Sequence, residues 1–88
     1  MSLITGQTSV GTAVVKIAGN YGYATTLHIH LSDNTDNVYI GPAGVTTSTG
    51  LKLEKQDHVD IQLAQNDAMY AVASATGPFL ITWLVEGK

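Results

Sequence analysis

His28 and His30 stand two apart in the run Thr26-Leu27-His28-Ile29-His30-Leu31, so on an extended strand both imidazoles project from one face. Two imidazoles so placed form a candidate metal pair, because neutral imidazole is a favoured ligand of zinc, copper and nickel. The third histidine, His58, lies far along the chain. Asp57, Asp60 and Asp67 read as separate acids beside turns, suited to capping or solvation and not spaced as a catalytic pair. Serine and threonine are plentiful, but they fall in turns, with no Gly-x-Ser-x-Gly elbow to make one a nucleophile. Tyr21 and Tyr23, in a glycine-rich turn, are the aromatic residues placed to stack on a sugar. Tyr39, Tyr70 and Trp83 fall inside apolar strands and read as core or interface.

Gly22, six residues before His28, and Gly41, seven after Asn34, give the spacing G-(x)5-H-x-H-(x)3-N-(x)6-G. This resembles the first metal motif of the cupins, with Asn34 at the position of the carboxylate ligand. A neutral carboxamide is a far poorer ligand than a carboxylate, and the second cupin motif, with its Pro-x-Gly and further histidine, is missing. The expectation is therefore no metal, no cofactor and no enzymatic activity. His28 and His30 then read as two polar residues on a solvent or interface face. A cupin-like metal-binding protein is one alternative, decided by metal content. A carbohydrate-binding module is another, decided by glycan binding at Tyr21 and Tyr23.

The elements that carry these residues are constrained by size and composition. A chain of 88 residues makes one domain. At that length it buries only about three-fifths of the surface its unfolded form exposes. It has no cysteine, so neither a disulfide nor a thiolate metal site staples it. The apolar share is 44% and the charged share 12%, the latter about half the usual figure of roughly 25%. Such a chain is expected to hide surface against copies of itself or another protein. The net charge of −3 comes from seven acids and four lysines without arginine, and no basic stripe offers a footprint for nucleic acid or an anionic membrane. Met1 to Gly6 lacks the basic and apolar regions of a signal peptide, and no apolar run has the length of a membrane span. Synthesis in the cytoplasm is expected, with any outside role reached by lysis or by export as part of a particle.

Residues 1–11 are small, polar and glycine-rich and read as an N-terminal arm; residues 12–88 read as the domain. Within the domain, runs at 12–18, 24–32, 38–40, 50–53, 58–63, 68–74 and 79–85 carry strand patterns, separated by turn signals. Alternation is strict at Leu27, Ile29 and Leu31 and again at Val59, Ile61 and Leu63. Asp33 to Asp36 reads as a hairpin loop, and Gly41 to Gly50 as a structured loop in which Gly41 and Gly44 can take φ > 0. The last two runs differ in being apolar on both faces. Phe79, Ile81, Trp83 and Val85 oppose Leu80 and Leu84, while Met69, Ala71 and Ala73 oppose Tyr70 and Val72. No segment holds a helical period long enough to cover them. The fold class expected is all-β: a small antiparallel sandwich or jelly-roll-like barrel of about seven short strands.

Three stretches carry a further likeness: Asn37-Val38-Tyr39-Ile40-Gly41, then Gly44-Val45-Thr46-Thr47-Ser48-Thr49-Gly50-Leu51, then Asp67-Ala68-Met69-Tyr70-Ala71-Val72-Ala73. In order and spacing, across residues 24 to 85, they resemble small β-sandwich proteins encoded among bacteriophage virion genes. Such motifs recur in capsid decoration (cement) proteins and in the bases of head or tail fibres. The resemblance implies a non-enzymatic virion component, often trimeric. On that reading the chain decorates and stabilises the capsid surface, with the phage major capsid protein and itself as partners; a tail, baseplate or fibre-base protein is the near alternative. Tyr70, Val72, Phe79, Leu80, Ile81, Trp83 and Leu84 are then expected to meet neighbouring copies. The arm, through Leu3, Ile4 and Val10, would meet the capsid.

Overall fold

Alternation of apolar and polar residues becomes eight strands in the computed structural model, which describes residues 2–19, 21–31, 37–54 and 56–87. They are β1 (Ser2–Val10), β2 (Val15–Gly19), β3 (Thr25–Leu31), β4 (Val38–Gly41), β5 (Leu51–Leu53), β6 (His58–Leu63), β7 (Ala68–Ala73) and β8 (Phe79–Gly87). Every pairing is antiparallel, and the strands form two sheets of four, ordered β1-β8-β3-β6 and β2-β7-β4-β5. Four of the pairings are nested: β1 with β8, β2 with β7, β3 with β6 and β4 with β5. The chain is thus one long hairpin, rolled so that β8 also meets β3 and β7 also meets β4. That is the jelly-roll form of an all-β sandwich. The expected hairpin loop at 33–36 and the Asn34 of the cupin-like spacing lie outside the described residues.

The tip of the long hairpin is the loop between β4 and β5, and its own backbone holds it. Val45 N–H donates to the Pro42 carbonyl at 3.0 Å, and Gly50 N–H to the Thr46 carbonyl at 2.9 Å. The Thr46 hydroxyl accepts the Ser48 N–H at 3.2 Å, so short polar side chains close the turn locally. Gly44 has the expected positive φ, +85°. Gly41 does not; it matters for a different reason. A Cβ on Gly41 would stand 2.8 Å from Cγ2 of Val45, the side chain that the loop tucks into the interior.

Leu27, Ile29 and Leu31 of β3 and Ile81 and Val85 of β8 form one wall of the core. Val38 and Ile40 of β4, Leu53 of β5 and Met69, Ala71 and Ala73 of β7 form the other. Small alanines on β7 accompany the branched residues of the core, as close packing of two sheets requires. In β2 the register shifts between Lys16 and Ala18, so both Ile17 and Ala18 turn inward.

The segment expected to be an arm is strand β1, paired with β8 from Ser2↔Gly87 to Val10↔Phe79. Its inward positions are Ile4, Gly6, Thr8 and Val10, which show no apolar alternation. Gly6 is what the geometry requires: a Cβ there would lie 2.5 Å from the Trp83 indole, which packs across it.

Among the described residues, Thr25 Oγ1 is a buried side-chain polar atom without a hydrogen-bond partner. An unsatisfied buried hydroxyl costs about 1–3 kcal/mol, and valine has the same shape without it. Thr25→Val is expected to raise the urea midpoint by the equivalent of about 1 kcal/mol, whereas Leu27→Ala, at a fully buried site, should cost about 2–5 kcal/mol. A Thr25→Val protein less stable than the parent would show that the hydroxyl has a partner.

Candidate functional site

The outer face of the β1-β8-β3-β6 sheet gathers the residues with the most chemistry. Register places His28 of β3 opposite Asp60 of β6 and Leu84 of β8, and His30 opposite His58 and Thr82. Thr26 stands opposite Glu86, so Glu86 is the diagonal neighbour of His28. All three histidines therefore share one sheet face. With Asp60, Thr5 and Leu84 they line an open groove of about 470 Å³.

His28 is the best-defined group in it. Its Nδ1 donates to Asp60 Oδ1 at 2.7 Å, and its Nε2 donates to Glu86 Oε1. Both acceptors are carboxylates, so the doubly protonated ring is the form that satisfies both bonds. The bond to Asp60, and then that to Glu86, raise the His28 pKa above the usual 6.5. The ring is about a third exposed, 35%, so water screens the bridge. The arrangement is a clamp across β6, β3 and β8. With both ring nitrogens engaged by carboxylates, His28 is used here as a bridge between strands, a different use from the metal role its spacing suggested. His30 is exposed beside His58. Among the described residues no group of three or more His, Cys, Asp or Glu side chains is arranged to hold a metal ion.

Asp60, read from sequence as an acid beside a turn, is instead in mid-strand and is half of this clamp. Asp57 behaves as expected of a turn acid, accepting the His58 N–H at 3.0 Å. Tyr21 and Tyr23 lie with ring centroids 6.3 Å apart. Tyr21 packs on the core, and burial together with Tyr23 raises its hydroxyl pKa. The Tyr23 ring covers Gly87, where a Cβ would meet it at 2.3 Å. Both tyrosines are half-buried packing residues in this fold.

The residues expected at a self-interface divide by face. Ile81 is core, Phe79 and Trp83 pack against it from the inner side, and Trp83 Nε1 donates to Thr8 Oγ1 at 3.1 Å. Tyr70, Leu80 and Leu84 lie on outer faces and stay half-exposed; Val72 lies on the outer face of β7 but is covered. Of the residues expected to touch a capsid, Leu3 and Ile4 are exposed, while Val10 belongs to the core. Glu86 is a member of the clamp that the spacing of His28 and His30 does not point to. The signal for it, an acid two residues beyond Leu84 on the same strand face, acquires meaning only once β8 is known to lie beside β3.

The class defined by this geometry is an eight-stranded jelly roll with a carboxylate-clamped histidine on one outer face. No family model and no curated protein matches the sequence. Among solved structures, one from work on Bacillus endospore appendages, described as "a novel family of disulfide-linked pili", overlays with a TM-score of 0.66. The overlay covers 96% of this chain and 82% of that one at 10% identity, so the likeness is of the fold.

A histidine whose folded pKa is raised adds stability that is fully present below its unfolded value, near 6.5. That stability is lost as pH rises through the folded value. The urea midpoint should therefore fall as pH is raised upward from 6.5, and His28→Gln should flatten that slope. NMR titration should place the His28 imidazole above the usual value; a midpoint at or below it would remove the clamp from the account.

Proposed function

We propose that the chain is a non-enzymatic structural subunit that self-associates and serves on the outside of a particle or appendage. The observation that carries this reading is what remains outside once the core is filled. Leu3 of β1 and Leu80 and Leu84 of β8 run along one outer sheet face, and Tyr70 sits on the other. Leu3 is 61% exposed and Leu51, at the start of β5, 56%. Scattered exposed leucines are ordinary; Leu3 and Leu84 as diagonal neighbours on paired strands, with Leu80 on the same face beyond Thr82, favour a covered face in a chain with only 12% charged residues. Burying a leucine-sized side chain contributes about 1.5–3 kcal/mol, so a few of them per copy hold an assembly together.

The finer reading follows the resemblance to small virion proteins. On it the chain is a capsid decoration protein, a homotrimer on the virion surface that binds the major capsid protein, with Leu3 on the outer face of β1 turned to the shell. A second reading is supported by the structural overlay, whose counterpart is described as forming pili. There the chain is a repeating subunit of a surface appendage. The disulfide linkage named for those pili is closed to this chain, which has no cysteine, so contacts between its copies would be non-covalent.

Sedimentation at micromolar concentration should give a mass several times the 9.3 kDa of the chain, and electron micrographs should separate trimers from filaments. Leu84→Asp should shift the distribution towards the single chain while leaving the circular dichroism of the sheet intact. An unmodified chain that stays monomeric across that range would remove the reading.

A further inference from the structure

Strand β1 has one neighbour, β8, and forms the edge of its sheet. The side chains do little to keep it there. Among those described in β1, Leu3, Ile4, Thr5, Gln7 and Ser9 are exposed, and Val10 alone is buried. What holds the strand is a ladder of backbone hydrogen bonds to β8 together with the Trp83–Thr8 bond and Val10, all of which β8 of a second copy offers equally. We infer that β1 is an exchangeable strand: Ser2–Val10 of one copy fills the place beside β8 of a second copy and so links them. This rests on the self-association proposed above and names its means.

The slot that β1 leaves is more demanding than the strand itself. It exposes one edge of β8 and the inner side chains Ile81 and Trp83, which cannot remain open to water without inviting another strand. It is also selective. Trp83 lies where a Cβ at the Gly6 position would be 2.5 Å away, so the incoming strand must have a glycine there. Two residues on, the indole N–H requires an acceptor, supplied by Thr8 Oγ1 at 3.1 Å, and two further on Val10 seals the core. Glycine, threonine and valine at alternate inward positions are what a second copy of this chain brings.

The hinge is present as well. Gly11 follows β1 directly, and its carbonyl accepts the Ala73 N–H at 2.8 Å, which fixes the chain from that point onward to β7. Glycine at the boundary lets the preceding residues swing while the rest of the sandwich stays closed. Thr12, Ala13 and Val14 beyond it are exposed and offer no competing core contact. Reciprocal exchange closes a pair of subunits, and onward exchange builds an open chain.

The test uses the absence of native cysteine. Gln7 and Thr82 are cross-strand partners on the outer face, at a spacing that a disulfide spans. A chain carrying both Gln7→Cys and Thr82→Cys is refolded at high concentration, oxidised, and run on a denaturing gel without reductant. Exchange predicts bands at two or more chain masses, and peptide mapping that joins the two positions between isotopically distinct chains. A product that is entirely internally bonded single chain, from protein that sediments as an assembly, overturns the exchange and leaves self-association standing. The same product from protein that sediments as a single chain overturns both.

Discussion

β8 carries Phe79, Ile81, Trp83 and Val85 on its inner face, and it is paired along both edges, with β1 on one side and β3 on the other. A strand in that position cannot leave either row of backbone groups unpaired without losing the net gain of its hydrogen bonds. Much of the fold follows. If the last strand lies against the first, the strands between them are obliged to pair in nested order, and the innermost pair, β4 with β5, needs a tight self-bonded loop. The side chains of β1 contribute little to this, so the first strand is present chiefly because the last one requires it. The pairing also joins the residues farthest apart in sequence, the class of contact whose loop entropy is largest.

That dependence explains what the sequence shows and what it hides. Seven strands were legible because their inner positions are apolar at a period of two: Leu27, Ile29 and Leu31, or Val59, Ile61 and Leu63. The two-faced character of β8 was legible too, and its inner and outer sets fall as alternation assigns them. β1 was not, because Gly6 and Thr8 occupy inward positions that elsewhere hold branched apolar residues. Those residues answer to the Trp83 indole, and nothing within residues 2 to 10 announces a tryptophan seventy-odd residues away. The same limit governs the outer face. His28 was conspicuous from its spacing, but its partners Asp60 and Glu86 come from strands paired by long-range topology, so a pattern suggesting a metal ligand became a charge clamp.

Charge is scarce in this chain, and placing it mid-sheet has consequences beyond a surface bridge. Asp60 and Glu86 lie on either side of His28, so three strands of one sheet are tied through a single imidazole ring. A carboxylate in mid-strand, directed at a neighbour on its own sheet, also discourages misregistered pairing. A one-residue slip would turn His28 inward and Leu27 outward at once. The clamp therefore acts more on register than on total stability, which accords with its exposure to solvent.

β1 and the clamp act on the two sides of β8 in opposite senses. On the β3 side, β8 is secured by core packing of Leu27, Ile29 and Leu31 and by the bond from His28 to Glu86. On the β1 side, backbone bonds and the Trp83–Thr8 contact secure it, with Val10 the buried side chain. The sheet thus has a firm interior and a yielding edge, and local opening free energies in folded proteins follow such differences in burial. On the self-association proposed above, a subunit that keeps its fold while joining to others would use that asymmetry. In the proposed exchange the body stays closed as β1 opens, and the opened edge accepts a strand bearing glycine opposite Trp83 and a hydroxyl within reach of its indole N–H.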